Sequence, residues 1–139
     1  MASVDDCTLQ PIRKVVDRRG TLAFIEGGMD VGFDIKRIYY IYDVPSQSTR
    51  AGHAHLALRQ MYIALSGSFD VRLDDGRQRR TVSLNRPDTG LLLVPGIWRD
   101  VRNFSTNAIL MVLASEHYDE ADYIRRYADF KAAVKEGRL

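Results

Sequence analysis

Short apolar runs that end at turn-forming residues constrain the fold of this chain more than any other feature. Seven such runs lie at residues 21–25, 35–42, 59–65, 69–73, 79–84, 90–94 and 108–114. Runs of this length, rich in β-branched and aromatic residues and bounded by Gly, Pro, Asn or Asp, are typical of β-strands. Turn signals about 8–12 residues apart favour a β-sandwich or a barrel. The sequence therefore predicts an all-β fold.

Residues 69–84 give the clearest hairpin. Apolar and polar side chains alternate from Phe69 to Asp74, and Asp75 and Gly76 form a turn that reverses the chain. The last twenty residues change period, because Tyr123, Tyr127, Phe130 and Val134 recur at helical spacing.

Asp119 and Asp122 favour a helix start just before that stretch. We therefore predict a C-terminal helix packed on a β-barrel. Without repeats or linkers, residues 1–139 are expected to form one domain, in which residues 1–10 are flexible.

Composition excludes several classes of function. The chain has 139 residues, 45% of them hydrophobic and 27% charged, and no apolar run approaches the length of about 18 residues that a membrane helix needs. The first ten residues lack an apolar block, and the single cysteine, Cys7, cannot form an internal disulfide, so we expect a cytoplasmic protein. The net charge is +2 and the arginines are dispersed, which argues against a nucleic-acid partner.

Two of the three histidines stand together in the segment Arg-Ala-Gly-His-Ala-His, residues 50–55. On an extended chain, side chains two residues apart point to the same side, about 7 Å apart. Such a pair suits proton transfer or half of a metal site. The alternative is two surface histidines on an edge strand.

The spacing around this pair resembles the motifs of metal-binding cupins, which are small β-barrels of two Greek-key sheets. Gln60 and Gly67 follow His55 at the distances at which those cupins carry Glu and Gly, and Arg99 stands where they carry a third histidine. An amide is a poor ligand for a transition metal and a guanidinium cannot ligate at all. We therefore expect no metal, which leaves His53 and His55 for proton transfer.

A closer resemblance is carried by residues 19–26, 36–44, 50–55, 90–105 and 112–130. These segments are similar to the nucleotide-sugar 3,4-ketoisomerases, which are metal-free cupins of deoxysugar biosynthesis. The likeness spans about residues 10–131, and one departure is Leu56, where relatives often carry Lys. The resemblance implies an all-β cupin barrel (a jelly roll) with a C-terminal helix and a homodimer.

It further implies isomerisation of dTDP-4-keto-6-deoxy-D-glucose to a dTDP-3-keto-6-deoxyhexose. A base removes the C3 proton, which the C4 carbonyl acidifies, and an enediol or enediolate forms. Protonation at C4 and loss of the O3 proton then leave the ketone at C3. These steps need a base, a proton shuttle and a positive charge, but neither a metal nor another cofactor.

The residues are assigned within that resemblance. We expect His53 and His55 to be the base and the partner that shuttles protons. Arg50 is expected to bind the diphosphate or the enediolate, because a guanidinium pairs with anionic oxygens through two hydrogen bonds. Arg99 is expected to contact the sugar or a phosphate.

Five further residues complete the predicted substrate site. Gln60 and Tyr62 follow the histidines on the next strand and are expected to hydrogen bond to sugar hydroxyls, as is Tyr40. Arg37 is a further phosphate candidate. Trp98 has two interpretations, since it either stacks on the base or sugar or anchors a core.

Two other functions remain open at this point. A 3,5-epimerase pairs one histidine with an aspartate and uses a tyrosine acid, whereas the block 50–55 offers no acid. A sugar-binding cupin would use the histidine pair only to hold a ligand. Alanine at either histidine separates these hypotheses, because an isomerase should lose turnover while a binding module should lose only affinity.

Overall fold

The computed structural model describes residues 1–139. The strands are β1 (Thr8–Pro11), β2 (Arg13–Asp17), β3 (Gly20–Phe24), β4 (Arg37–Ile41), β5 (Arg50–His55), β6 (Gln60–Ser66), β7 (Phe69–Asp74), β8 (Arg79–Leu84), β9 (Thr89–Leu93), β10 (Trp98–Arg102), β11 (Ile109–Ala114) and β12 (Tyr123–Ile124). One α-helix follows, α1 (Tyr127–Lys135), and 3₁₀ turns occur at Val4–Asp6 and Glu120–Asp122. The single helix is too short to cross a membrane.

The strands form two five-stranded antiparallel sheets that face each other. The first sheet has the order β1-β9-β6-β11-β4, and the second has the order β12-β5-β10-β7-β8. Strands β2 and β3 form a separate hairpin. This confirms the prediction of an all-β cupin-like barrel with a C-terminal helix.

The core lies between the two sheets because both are apolar on their inner faces. In β7, Phe69, Val71 and Leu73 are buried while Asp70 and Arg72 lie on the other face. Fully burying a side chain of this size contributes about 1.5–3 kcal/mol. The predicted hairpin is confirmed, since β7 pairs with β8 from Phe69 to Asp74.

The turn of that hairpin meets the C-terminal helix. Gly76 has a φ of +92°, and a Cβ built there would lie 2.9 Å from the side chain of Val134. Only glycine therefore suits this close approach. Phe130 and Val134 of α1 pack with Ala54 of β5 on the outer side of the second sheet.

Both ends of the chain contact the sheets. Near the start, Ser3 caps a 3₁₀ turn, Val4 and Cys7 lie in the core, and β1 pairs with β9. The prediction that Tyr123 belongs to the C-terminal helix is wrong. Tyr123 lies outside the helix and pairs with β5. The 3₁₀ turn that Asp119 caps ends at Asp122. The chain then joins the edge of the sheet at Tyr123, and the α-helix begins four residues later, at Tyr127.

Candidate active site

Strand β5 directs both predicted histidines into the barrel. The imidazoles of His53 and His55 have centroids 4.7 Å apart and meet at 83°. His53 is 7% exposed and His55 is fully buried. The prediction that the pair shares one face is confirmed, and the alternative of two surface histidines is wrong.

Both imidazoles are held in their neutral form. Burial, together with the positive charge of Arg99, lowers the pKa of His53 to about 3 and that of His55 to about 2. The Nε2 atom of each ring is buried without a hydrogen-bond partner. A neutral imidazole with a free ring nitrogen is able to accept a proton.

Arg99 lies beside the histidines because β10 pairs with β5, with Arg99 opposite His53. Its guanidinium is fully buried, and it donates from Nη1 to Oε1 of Gln60 (2.6 Å) and from Nε to the carbonyl of Ile97 (3.1 Å). Its Nη2 has no partner, and no carboxylate pairs with it. A buried cation without an anionic partner is costly, which points to an anionic ligand or a developing negative charge.

Gln60 connects Arg99 to a tyrosine of the opposite edge of the site. Its Nε2 donates to the hydroxyl of Tyr39 at 3.0 Å. Burial raises the pKa of Tyr39, and it also raises that of the fully buried Tyr62 next to Arg99. Both phenols therefore keep their protons at neutral pH and remain hydrogen-bond donors.

The donor set does not suit a metal ion. The amide oxygen of Gln60 already accepts a hydrogen bond from Arg99, and the guanidinium brings a fixed positive charge next to the two imidazoles. A metal cation at the histidine pair would be repelled by this guanidinium, and only two neutral nitrogen ligands would bind it.

Two residues of the site were missed by the sequence analysis. The ring of Tyr123 covers both imidazoles, with centroids 5.0 Å from His53 and 4.4 Å from His55. Asp122 places Oδ2 3.1 Å from Nδ1 of His55. The sequence pattern places Asp122 at a helix start and Tyr123 within the helical repeat. Both residues lie in the segment 112–130, which resembles the 3,4-ketoisomerases.

Arg37, a phosphate candidate in the sequence analysis, lies at the mouth of the site. Its guanidinium stacks over Tyr39 at 5.2 Å and over Tyr118 at 5.7 Å, and its Nε is buried without a partner. Together with His55 and Tyr123 it lines a cleft of about 580 Å³ between the free edges of the two sheets.

The structure does not bring three of the predicted residues to the histidines. Tyr40 is 62% exposed and stacks on Tyr42, because alternation along β4 turns Tyr39 inward instead. Tyr39 therefore replaces Tyr40 in the site.

Trp98 and Arg50 also lie elsewhere. Trp98 packs on Tyr127 and Phe130 at 5.3 and 5.8 Å and so anchors the helix, as its second interpretation held. Arg50 is exposed at the start of β5, three residues before His53, and its side chain makes no hydrogen bond or ion pair.

Comparison with known proteins identifies relatives of this chain. The family described as FdtA: WxcM-like, C-terminal matches residues 5–135. A TDP-4-oxo-6-deoxy-alpha-D-glucose-3,4-oxoisomerase from Aneurinibacillus thermoaerophilus is 44% identical over 122 residues, which is 88% of each chain.

Two solved structures are similar over nearly their whole length. A 3,4-ketoisomerase from Helicobacter canadensis has 42% identity and a TM-score of 0.91, covering 94% of this chain and 98% of that one. A histidine-to-asparagine variant of the 3,4-ketoisomerase QdtA from Thermoanaerobacterium thermosaccharolyticum, in complex with TDP-4-keto-6-deoxyglucose, has 39% identity and a TM-score of 0.93, covering 96% and 97%. The chain therefore belongs to the FdtA family, as its resemblance to the nucleotide-sugar 3,4-ketoisomerases predicted.

Proposed function

We propose that this protein is a 3,4-ketoisomerase that converts dTDP-4-keto-6-deoxy-D-glucose to a dTDP-3-keto-6-deoxyhexose. Its relatives are named as 3,4-ketoisomerases or 3,4-oxoisomerases, and a variant of one of them was solved in complex with the same 4-keto sugar. The observation that carries the proposal is the pair of buried neutral histidines facing an unpaired buried arginine. Bases next to a fixed positive charge are what enediolate chemistry requires.

The histidines supply the proton transfers. The C4 ketone acidifies the C3 proton, and an imidazole Nε2 accepts it, so that the electron pair of the C3–H bond moves toward the C4 oxygen. The C4 oxygen then takes up a proton while O3 loses one, and return of a proton to C4 gives the 3-ketone with a hydroxyl at C4. Atoms balance, since the substrate and product differ only in the position of two hydrogens. His53 and His55 are close enough to divide these transfers between them.

Arg99 is proposed to stabilise the enediolate. Its unpartnered Nη2 is a fixed donor in a buried site, and negative charge developing on a substrate oxygen would give it the partner that it lacks. Preorganised donors of this kind commonly contribute 10²–10³-fold to rate, by analogy with single oxyanion-hole donors.

The remaining polar residues are proposed to hold the sugar and the diphosphate. Tyr39, Gln60 and Tyr62 surround Arg99 and offer hydrogen bonds to sugar oxygens. Arg37 at the cleft and Arg50 on the outer end of β5 are the candidates for the diphosphate, since a guanidinium pairs well with phosphate oxygens.

We further infer a homodimer in the cytoplasm, on the family resemblance. Exposed apolar side chains support the dimer, among them Val16 and Leu22 on the β2–β3 hairpin and Ile38 and Leu65 on the first sheet. Monomeric proteins rarely expose large contiguous apolar patches. Light scattering should give twice the chain mass of 15.8 kDa.

Proton NMR of the reaction in deuterium oxide, with EDTA present, tests the activity. With dTDP-4-keto-6-deoxyglucose as substrate, we expect a 3-keto sugar, with deuterium at C4 wherever the transferred proton exchanges with solvent. A ketone that stays at C4 while C3 and C5 take up deuterium would make the protein an epimerase. A sugar that never changes although the nucleotide binds would make it a sugar-binding cupin.

A further inference from the structure

The two histidines differ in what holds them. Nδ1 of His55 lies 3.1 Å from Oδ2 of Asp122, whereas neither ring nitrogen of His53 hydrogen bonds to another group of the protein. The pair is thus asymmetric: one ring is tied to a carboxylate and the other is not.

Asp122 is itself fixed by the backbone. Its Oδ1 accepts the backbone N–H of Ala57 at 2.7 Å, and its Oδ2 accepts that of Leu58 at 3.2 Å. Its own carbonyl accepts the N–H of Leu56 at 2.9 Å, and the next residue, Tyr123, pairs with His55 in the sheet. The carboxylate is therefore placed against the ring before any substrate binds.

The chemistry of this contact fixes the position of one proton. A neutral imidazole carries a single N–H, and an ionised carboxylate only accepts hydrogen bonds. Because His55 is neutral and faces an anchored carboxylate, its proton lies on Nδ1, and Nε2 presents a lone pair to the interior of the barrel. A ring with the opposite tautomer would have no lone pair there.

Asp122 also opposes the charges around the ring. The other ionisable groups that act on His55 all disfavour an imidazolium, and they are Arg99, His53, Arg37 and Arg125. A carboxylate in contact with Nδ1 is the group that stabilises the imidazolium once Nε2 has taken a proton.

We propose that Asp122 is a positioning residue that sets the tautomer of His55, so that Nε2 of His55 accepts a proton from the substrate. The inference rests on the proposed isomerase activity for its catalytic meaning, but the tautomer itself is a property of the free protein.

The substitution Asp122→Asn tests the catalytic consequence. The amide oxygen can still accept the N–H of Ala57, which turns its NH₂ toward His55 and favours the tautomer with the proton on Nε2. We expect kcat to fall by about 10²–10⁴-fold, as for a wrong tautomer in a hydrolase triad, with KM changed less than about threefold. Asp119→Asn is the matched control, since Asp119 caps the same turn without touching His55, and it should keep kcat within about twofold of the wild type.

Nitrogen-15 NMR of the histidine side chains tests the tautomer without turnover. In the wild type we expect a protonated Nδ1 and an unprotonated Nε2 for His55, and in Asp122→Asn the reverse. A wild-type ring with its proton on Nε2, or an Asp122→Asn enzyme with unchanged kcat, would overturn the proposal. If the variant does not fold, the wild-type spectrum decides. If the wild type shows no isomerase activity while its spectrum shows the expected tautomer, the proposed function has failed and the tautomer assignment has not.

Discussion

The two faces of strand β10 differ in whether their charged side chains are paired. On the outer face, Asp100 receives both prongs of the Arg72 guanidinium, at 2.9 and 2.7 Å. On the inner face, the adjacent Arg99 is fully buried and has only an amide and a carbonyl as partners. One residue along the strand separates a paired charge at the surface from an unpaired charge in the interior. The paired charge stabilises the fold, whereas the unpaired one is the group that we propose to contact the anionic substrate.

The same contrast holds for polar atoms in general. Outside the barrel, Asp74 accepts hydrogen bonds from Arg79 and Tyr127 and so ties the β7–β8 hairpin to the helix. Buried side-chain atoms without a hydrogen-bond partner gather instead at the site: Arg37 Nε, His53 Nε2, His55 Nε2 and Arg99 Nη2. Arg102 Nε, which lies elsewhere, is the exception. Because buried polar groups are nearly always satisfied, this gathering marks where substrate atoms are expected to bind.

Among the substitutions considered, removing a histidine from the inner face should have the largest effect on activity. For His53→Ala and His55→Ala we expect turnover to fall by about two to four orders of magnitude, because each removes a group that moves a proton. Binding of TDP, measured by calorimetry, should change little. If a variant binds the sugar more weakly but keeps the wild-type kcat at saturating substrate, the histidine has no role in proton transfer.

Replacing the unpaired charge should separate activity from stability. In Arg99→Met the buried cation is lost and a side chain of similar length fills part of its space. We expect kcat to fall by about 10²–10³-fold. The free energy of unfolding should stay the same or rise, because an uncompensated buried charge is removed. Urea unfolding and steady-state kinetics on one preparation check both. A less stable but fully active variant would show that Arg99 serves the fold.

The depressed histidine pKa values predict the response to acid. The folded-state values, about 3 for His53 and about 2 for His55, lie below the ordinary value of 6.5. Below pH 6.5 the unfolded chain therefore binds more protons than the folded one, so these residues lower stability as the pH falls toward 3 and have no such effect above 6.5. His55→Asn should make the loss of stability between pH 7 and 5 smaller.

The activity should respond differently over the same range. Because both bases remain unprotonated in the free enzyme, kcat/KM should show no acid limb near pH 6.5. Rate measurements from pH 5.5 to 8 test this. An apparent pKa close to 6.5 would mean that at least one imidazole is far better solvated than its burial indicates.

The sequence predicted the barrel well because alternation and turn residues are local signals. Strands β3, β4, β6, β7, β8, β9 and β11 all overlap the predicted runs. No predicted run covers β1, β2, β5, β10 or β12. The two-residue strand β12 depends on pairing with β5, so the sequence analysis did not find Asp122 and Tyr123 as site residues. The sequence analysis chose Tyr40 instead of Tyr39 for the site. With tyrosines at positions 39, 40 and 42, the sequence does not show which face of this edge strand points into the barrel. In the structure, Tyr39 pairs with the buried Val112, which places the side chain of Tyr39 on the inner face.

Breaking the outer pair should have the smallest effect and completes the comparison. Arg72→Met removes a side chain that is 46% exposed, while Asp100 keeps a contact of 3.4 Å with Arg102. Ion pairs with one exposed partner typically contribute about 0.2–1 kcal/mol, so the free energy of unfolding should fall by no more than about 1 kcal/mol. Activity should be unchanged, because Arg72 lies on the face of the sheet opposite the histidines. A loss of turnover comparable to that of Arg99→Met would mean that the outer face of β10 also takes part in the reaction, and that the division between the two faces is incorrect.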